Sequence, residues 1–216
     1  MSEVAPIVAA KPMVSGLYAI ADRTYLSPER FAPAVAQAIA GGARVIQYRD
    51  KLSDNEERAR IAAGLAALCR RSDCPLIVND DVSLAKLVGA HGVHLGRDDA
   101  DIAGARRLLG AGVLIGVSCY NDLALAQAAE VAGADYVAFG SFYPSPTKPQ
   151  ARRAEMELLR AARRTLRVPI VAIGGITPDN GAALITAGAD ALAVIEGVFG
   201  QPDIRAAAAR YTRLFN

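Results

Sequence analysis

The sequence predicts an α/β protein built as a single-domain (β/α)8 barrel, the TIM-barrel architecture. Three observations predict it. Short apolar runs recur along the chain, and each is followed by a stretch with the apolar spacing of an amphipathic helix. Strands so uniformly apolar, each separated from the next by one helix, form a parallel sheet covered by helices. Eight such strand-helix units can be traced in 216 residues, which favours closure into one barrel over an open sheet.

The elements follow in order. Residues 1–14 carry Glu3 early, and Pro6 and Pro12 interrupt their apolar residues, so they read as a loose leader and not as a signal peptide or a spanning helix. The barrel domain is expected over 15–216. Gly16 to Asp22 is the first strand, after which Ser27 is expected to cap a helix with Pro28 at its first position. Phe31, Val35, Ala38 and Ile39 give that helix one buried stripe, and Gly41-Gly42 stop it. Ala43 to Ile46 is the second strand, and Ser53 is expected to cap the helix whose Ile61, Leu65 and Leu68 line one face. Strands three to five are Leu76 to Val78, Val93 to Leu95 and Val113 to Val117, with helices over 82–88, 102–109 and 123–132, the last capped by Asn121. Tyr136 to Phe139 is the sixth strand, followed by a polar loop to Arg152 and a helix through Leu166. Ile170 to Ile173 and Ala191 to Ile195 complete the set, with Thr177-Pro178 expected to cap the helix between them and a helix from Ile204 to Leu214 closing the chain. The phrases around Gly41-Gly42, Ala132-Gly133-Ala134-Asp135 and Ala187-Gly188-Ala189-Asp190 read as one helix-to-strand turn used repeatedly, with glycine ending the helix.

Composition narrows the function classes. The net charge is +2, and no basic block or run of aromatics among cations points to nucleic acid. Of 24 basic side chains only Lys11, Lys51, Lys86 and Lys148 are lysines, so a lysine inside a motif carries information. Cys69, Cys74 and Cys119 make an odd count without a CxxC pair, which argues for a reducing, cytoplasmic setting and against a disulfide framework or a zinc knuckle. Oligomeric state is left open, a homo-oligomer included.

Barrels of this class carry their sites at the C-terminal ends of the strands. The second strand delivers Gln47-Tyr48-Arg49-Asp50-Lys51. Alternation puts Gln47, Arg49 and Lys51 on one side and Tyr48 and Asp50 on the other. An amide beside a guanidinium fork and an ammonium suits a heterocycle edge and a diphosphate; the plain alternative is a solvated turn in which Arg49 pairs with Asp50. The third strand ends in Asn79-Asp80-Asp81 and the fourth in Gly96-Arg97-Asp98-Asp99. Carboxylates from neighbouring strand ends suit Mg²⁺, which takes few protein ligands and completes its shell with water and phosphate oxygens. Taken singly, Asp81 also reads as a helix cap, and Asp98 and Asp99 as first-turn acids. Ser118 after the fifth strand can donate to a phosphate oxygen. Cys119 has no base beside it, and His91 and His94 lack a third ligand, so neither a thiol nucleophile nor a zinc site is expected. Pro144, Pro146 and Pro149 stiffen the longest loop, which presents Ser145, Thr147 and Lys148. Gly174-Gly175 and Glu196-Gly197 end the last two strands, the usual place of a barrel phosphate site.

These blocks together resemble the thiamine phosphate synthase family. Gln47 to Lys51 is similar to its Q-x-R-x-K motif, Asn79-Asp80 to its N-D, and Gly92 to Asp99 to its G-[VI]-H-[LI]-G-x-x-D. Gly116-Val117-Ser118, Pro144 to Lys148 and Ile173 to Ile176 match further blocks in the same order, across Gly16 to about Phe199. The resemblance implies a (β/α)8 transferase that joins a hydroxymethylpyrimidine diphosphate to thiazole phosphate with Mg²⁺, releasing pyrophosphate. It implies that Gln47, Tyr48, Arg49, Asp50, Lys51, Asn79, Ser118 and Lys148 form the pyrimidine diphosphate side, with Arg49, Lys51, Lys148 and Ser118 catalytic, and that Asp80 and Asp99 hold the metal. Ser145, Pro146, Thr147, Gly174, Gly175, Ile195 and Glu196 would surround the thiazole phosphate. Glu196 stands where the family commonly has serine; a carboxylate aimed at phosphate is repulsive, so its side chain is expected to turn away or only its backbone to take part. With no convincing nucleophile in the chain, the implied route is ionisation, in which the cations stabilise departing pyrophosphate and the thiazole nitrogen captures the pyrimidine-methyl cation. The competing readings are an isomerase of thiazole phosphate on the same barrel, which has no need of Arg49, Lys51, Lys148, Asp80 and Asp99, and a non-catalytic sensor of phosphate ligands.

Overall fold

Eight parallel strands close on themselves in sequence order in the computed structural model, which describes residues 13–96, 99, 101–144 and 153–216. They are β1 (Gly16–Asp22), β2 (Val45–Arg49), β3 (Leu76–Asn79), β4 (Gly92–Leu95), β5 (Leu114–Tyr120), β6 (Tyr136–Gly140), β7 (Ile170–Ile173) and β8 (Ala191–Val194). β8 pairs back onto β1, with Gly16 opposite Ala191, and the predicted barrel is thereby confirmed. Around it lie α1 (Phe31–Ala40), α2 (Asn55–Arg71), α3 (Val82–Val88), α4 (Ile102–Leu109), α5 (Leu123–Val131), α6 (Met156–Thr165), α7 (Gly181–Ala187), the short α8 (Glu196–Phe199) and α9 (Ile204–Thr212).

The pleat sorts residues by parity. Tyr18, Ile20, Val45, Ile77, Leu114, Tyr136, Ala138, Val171, Ala191 and Ala193 fill the inside of the barrel. Their neighbours in sequence, such as Ala19, Ile46, Tyr48, Val78, Val93 and Val137, pack outward against the helices in the larger core. Val14, expected in the leader, is buried among the inner set, while residues 1–12 lie outside the described residues.

Several boundaries differ from expectation for local reasons. β2 runs on through Arg49 and β5 through Tyr120, so Gln47 to Arg49 and Ser118 are strand residues and not loop residues. The cap of α2 is Asp54, whose carboxylate accepts from Glu57 N, and not Ser53; the cap of α5 is Asp122, accepting from Leu125 N, and not Asn121. Ser27 makes no side-chain cap bond, and Pro28–Arg30 forms a 3-10 turn ahead of α1. Thr177 and Pro178 belong to a turn closed by Asn180, whose side chain accepts from Thr177 N, before α7 begins at Gly181.

The repeated glycine turns are real, with Gly42, Gly133 and Gly188 at φ 96°, 93° and 120°. Two of them also clamp the bottom of the barrel. Asp135 accepts from Ile115 N at 2.8 Å and from Arg106, and Asp190 accepts from Ile170 N at 2.8 Å and from Arg163 at 2.9 Å. Each carboxylate ties the start of a strand to the helix before it.

Candidate active site

The C-terminal ends of β1 to β4 carry five charged side chains, Arg49 paired with Asp22 and Lys51 paired with Asp80 beside Asp99. Arg49, the last residue of β2, points into the barrel mouth and is held by the Asp22 carboxylate at the end of β1. Asp22 is 1% exposed and also accepts from Thr24 N at 2.9 Å and Thr24 Oγ1 at 2.6 Å, so it is a fixed anchor. The alternative pairing of Arg49 with Asp50 is not what forms. Asp50 turns to the other side, where Tyr48 Oη donates to it at 3.0 Å and Leu52 N and Ser53 N donate at 2.9 and 3.0 Å. Tyr48 itself packs edge-on against Phe31, with ring centroids 5.2 Å apart. Alternation placed both residues correctly: they shape the β2–α2 loop from behind and are not brought into the mouth.

Lys51 Nζ lies 2.9 Å from Asp80, just past β3. Asp80 has φ 63°, a left-handed conformation that non-glycine residues seldom adopt, and its N–H donates to His94 O at 2.8 Å. Burial acts to raise its carboxyl, but hydrogen bonds from Lys51 and Asp99 outweigh burial and hold it below the ordinary aspartate value. Asp99 moves the other way. Burial and the adjacent Asp80 raise its carboxyl against the Gly96 N–H that favours the charge. The two carboxylates therefore disfavour ionising together, with Asp80 the more readily charged of the pair. Asp81 caps α3 by accepting from Leu84 N at 2.8 Å and pairs with Arg58 at 3.0 Å, so the cap reading of that residue holds.

This donor set fits Mg²⁺. Two carboxylates brought into contact from the ends of neighbouring strands offer the small all-oxygen ligation that Mg²⁺ takes before completing its shell. Among the described residues no group of three or more His, Cys, Asp or Glu is gathered for a metal. His91 and His94 do not meet: His91 Nδ1 accepts from Leu76 N at 3.0 Å at the barrel's lower end, whereas His94 points inside. Arg97 and Asp98 lie outside the described residues.

Below the mouth a chain of hydrogen bonds crosses the barrel interior. Gln47 Nε2 donates to Tyr18 Oη at 2.8 Å, and Tyr18 Oη meets Tyr136 Oη at 2.8 Å. Tyr136 Oη meets His94 Nδ1 at 3.1 Å, and His94 Nε2 meets Ser118 Oγ at 2.9 Å. Gln47 on β2 and Ser118 on β5 are thus joined through three buried side chains, of which sequence reasoning weighed His94 only as a metal ligand and did not pick out Tyr18 or Tyr136, as it also missed Asp22. Parity held the signal: Tyr18 and Asp22 share Ile20's inward side of β1, and Asp22 is a strand-end acid like Asp80. Cys119 points the opposite way from Ser118, is buried, and has its thiol pushed up to about 12 by burial, which rules out a thiolate there.

On the far side, Gly174 and Gly175 have φ 103° and 60° at the end of β7. A Cβ on Gly174 would stand 1.9 Å from Ser141 Oγ, and one on Gly175 2.3 Å from Pro144 O, so only glycine fits this close approach of β7 to the β6 loop. Ile195 precedes α8, and Glu196 is its exposed first residue. The Glu196 Cγ lies beside Gly200, which places the start of the side chain along α8. Asn79 ends β3 opposite His94. Ser145, Pro146, Thr147 and Lys148 lie outside the described residues.

A family model for thiamine monophosphate synthase matches residues 17–198, nearly the whole barrel. The chain belongs to the thiamine monophosphate synthase family. The thiamine-phosphate synthase of Thiobacillus denitrificans is 58% identical to it over 200 residues, covering 93% of this chain and 94% of the relative. That of Nitrosococcus oceani is 55% identical over 202 residues, covering 94% and 93%. Among solved structures, the thiamine phosphate pyrophosphorylase of Pyrococcus furiosus shares 37% identity with a TM-score of 0.83, covering 92% of this chain and 94% of that one. A 3-hexulose-6-phosphate synthase, 21% identical at TM-score 0.70, shares the fold alone. Membership of the family makes this chain a transferase of thiamine biosynthesis acting on small molecules, as the motif blocks implied.

Proposed function

We propose that the mouth of the barrel transfers a pyrimidinylmethyl group from its diphosphate to the ring nitrogen of thiazole phosphate, forming thiamine phosphate and releasing pyrophosphate. The observation that carries this reading is the cluster of Lys51, Asp80 and Asp99 past the ends of β2 to β4, with Arg49 held by Asp22 at the ends of the neighbouring β2 and β1. Asp80 and Asp99 are the residues to hold Mg²⁺, which when bound supplies Lewis-acid stabilisation of a departing diphosphate. Arg49, fixed by Asp22, offers its remaining N–H groups as a rigid fork for anionic oxygens. Lys51 is half-exposed and flexible, so it can turn from Asp80 towards a diphosphate oxygen. By their place in the motif order, Lys148 is assigned as a third cation for the diphosphate and Ser145 to Thr147 to the thiazole phosphate, together with Gly174, Gly175 and the backbone of Ile195 and Glu196.

Among the described residues no thiol faces the mouth to attack the methylene carbon, since Cys119 is buried and turned away. Stabilising the leaving group is then what the residues can do, and the pyrimidine-methyl cation is captured by the thiazole nitrogen. Gln47 and Asn79 orient the pyrimidine, and Ser118 donates towards the diphosphate. Three buried free thiols support a reducing cytoplasmic setting, and among the described residues no helix is long and apolar enough to cross a membrane.

The test is pyrophosphate release by the purified protein. Release should require both substrates together with Mg²⁺ and stop with excess EDTA. Binding of thiazole phosphate without any pyrophosphate release would replace this reading with the isomerase or the sensor.

A further inference from the structure

We propose that Arg58 and Asp81 are positioning residues for the metal site, their ion pair holding a strained three-residue turn that aims the Asp80 carboxylate at the mouth. The inference rests on the proposed function for the role of Asp80, and it adds two residues that act through it.

Asp80 lies between two fixed points. Before it, Asn79 is the last residue of β3 and stands opposite His94 of β4, whose carbonyl also takes the Asp80 N–H at 2.8 Å. After it, the Asp81 N–H turns back to Asn79 O at 2.8 Å, a bond that closes a turn of three residues with Asp80 at its centre. The Asp80 φ of 63° gives this turn its rare and strained hand. Asp73, by comparison, has φ 48° just past α2, where a left-handed residue is a common way for a helix to stop. Asp80 ends no helix. Its strain persists only while the residues around it over-determine the backbone.

Asp81 supplies that constraint with both carboxylate oxygens. Oδ1 accepts from Leu84 N at 2.8 Å and caps α3, while Oδ2 accepts from Arg58 Nη2 at 3.0 Å. Arg58 stands near the start of α2 and reaches across to the start of α3, so residue 81 is pinned from two helices and its N–H is left facing Asn79 O. The cap alone is enough for α3. The pair itself adds little stability, since both partners are partly exposed, and Arg58 Nε is buried with no hydrogen-bond partner among the described residues, which is a cost. A pair that strands a buried N–H while bracing a strained turn at a strand end is explained by what that turn presents.

Three substitutions separate the brace from the helix cap. Asp81→Asn keeps a side-chain oxygen for Leu84 N but turns an amide NH₂ towards Arg58, so it breaks the pair and spares α3. Arg58→Met keeps the aliphatic stem without the charge. Arg58→Lys restores a cation. Without the pair the turn relaxes, and the Asp80 carboxylate leaves its place beside Asp99.

Two readouts test this, one of them without turnover. Calorimetry with Mn²⁺ and inorganic pyrophosphate together reads the metal side of the mouth, and calorimetry with thiazole phosphate reads the far side. Arg58→Met and Asp81→Asn should weaken binding of Mn²⁺ with pyrophosphate about tenfold, the usual effect of losing a residue that orients a metal ligand. Thiazole phosphate binding and melting temperature should stay near wild type, and Arg58→Lys should recover most of the loss. In the pyrophosphate-release assay the same two variants should need about tenfold more Mg²⁺, with KM for thiazole phosphate unchanged. Wild-type affinity for Mn²⁺ with pyrophosphate in both variants, or equal losses for the two ligands with a fallen melting temperature, overturns the positioning role. A wild type that releases no pyrophosphate, yet binds Mn²⁺ with pyrophosphate more tightly than the two variants do, would overturn the proposed function and leave the positioning role standing.

Discussion

Single residues carry the sharpest constraints at the mouth. Gly174 combines φ 103° with a Cβ position 1.9 Å from Ser141 Oγ. Gly174→Ala should cost about 2–4 kcal/mol, the sum of a left-handed backbone and an overpacked contact, and a urea midpoint unchanged from wild type would refute the fit. His91 supplies a pH prediction. Burial first, then the Arg70 charge, lowers its folded pKa below the ordinary histidine value. The unfolded chain therefore binds the proton more readily, so the stability from neutral His91 is full above about pH 6.5 and is lost as pH falls through the lower folded value. Chemical denaturation at pH 7 and pH 5 should show His91→Asn losing less stability over that interval than wild type; parallel losses would dismiss the assignment. The charged cluster offers a third case. If Lys148 stabilises departing pyrophosphate, Lys148→Ala lowers kcat far more than it raises KM, whereas a raised KM with kcat intact would assign it to ground-state binding.

At the scale of elements, the helix starts show where sequence reading stops. Ser53, Asp54 and Asn55 are neighbours of nearly equal capping ability, as are Asn121 and Asp122, so composition alone does not choose among them. The structure chooses Asp54 and Asp122 through their bonds to Glu57 N and Leu125 N. Asp54→Ala should therefore cost about 1 kcal/mol, and Ser53→Ala, which keeps its backbone N–H on Asp50 and loses only the side-chain contacts to Arg23 and Asp50, less than that. Equal losses in the two variants would contradict the assignment. The periods of the elements themselves were legible because burial on both faces leaves strands apolar throughout, and because one buried stripe marks each helix. Legible too was the side on which Gln47, Arg49, Lys51, Tyr48 and Asp50 fall, since parity within one strand is a local property.

Across the whole molecule, what escaped the sequence was whatever depends on closure. Asp22 meets Arg49 because β1 lies beside β2 in a register that sets those two residues opposite each other. Tyr18 reaches Tyr136, 118 positions away, only across the inside of the closed barrel. No local pattern encodes such contacts, and the hydrogen-bonded chain between Gln47 and Ser118 was hidden for that reason. The metal pair was half visible: strand ends placed Asp80 and Asp99 near each other, and the structure adds that Lys51 holds Asp80 and that Asp80 and Asp99 oppose each other's ionisation. That arrangement is the centre of the account, and Asp99→Asn tests it most directly. Pyrophosphate release is measured against Mg²⁺ concentration with both substrates saturating. The variant should lose about a hundredfold or more in kcat and need more Mg²⁺, with a melting temperature equal to or above that of wild type because a like-charge contact is gone. A variant with the wild-type rate and the wild-type Mg²⁺ dependence would remove Asp99 from the metal site and with it the proposed route for pyrophosphate departure.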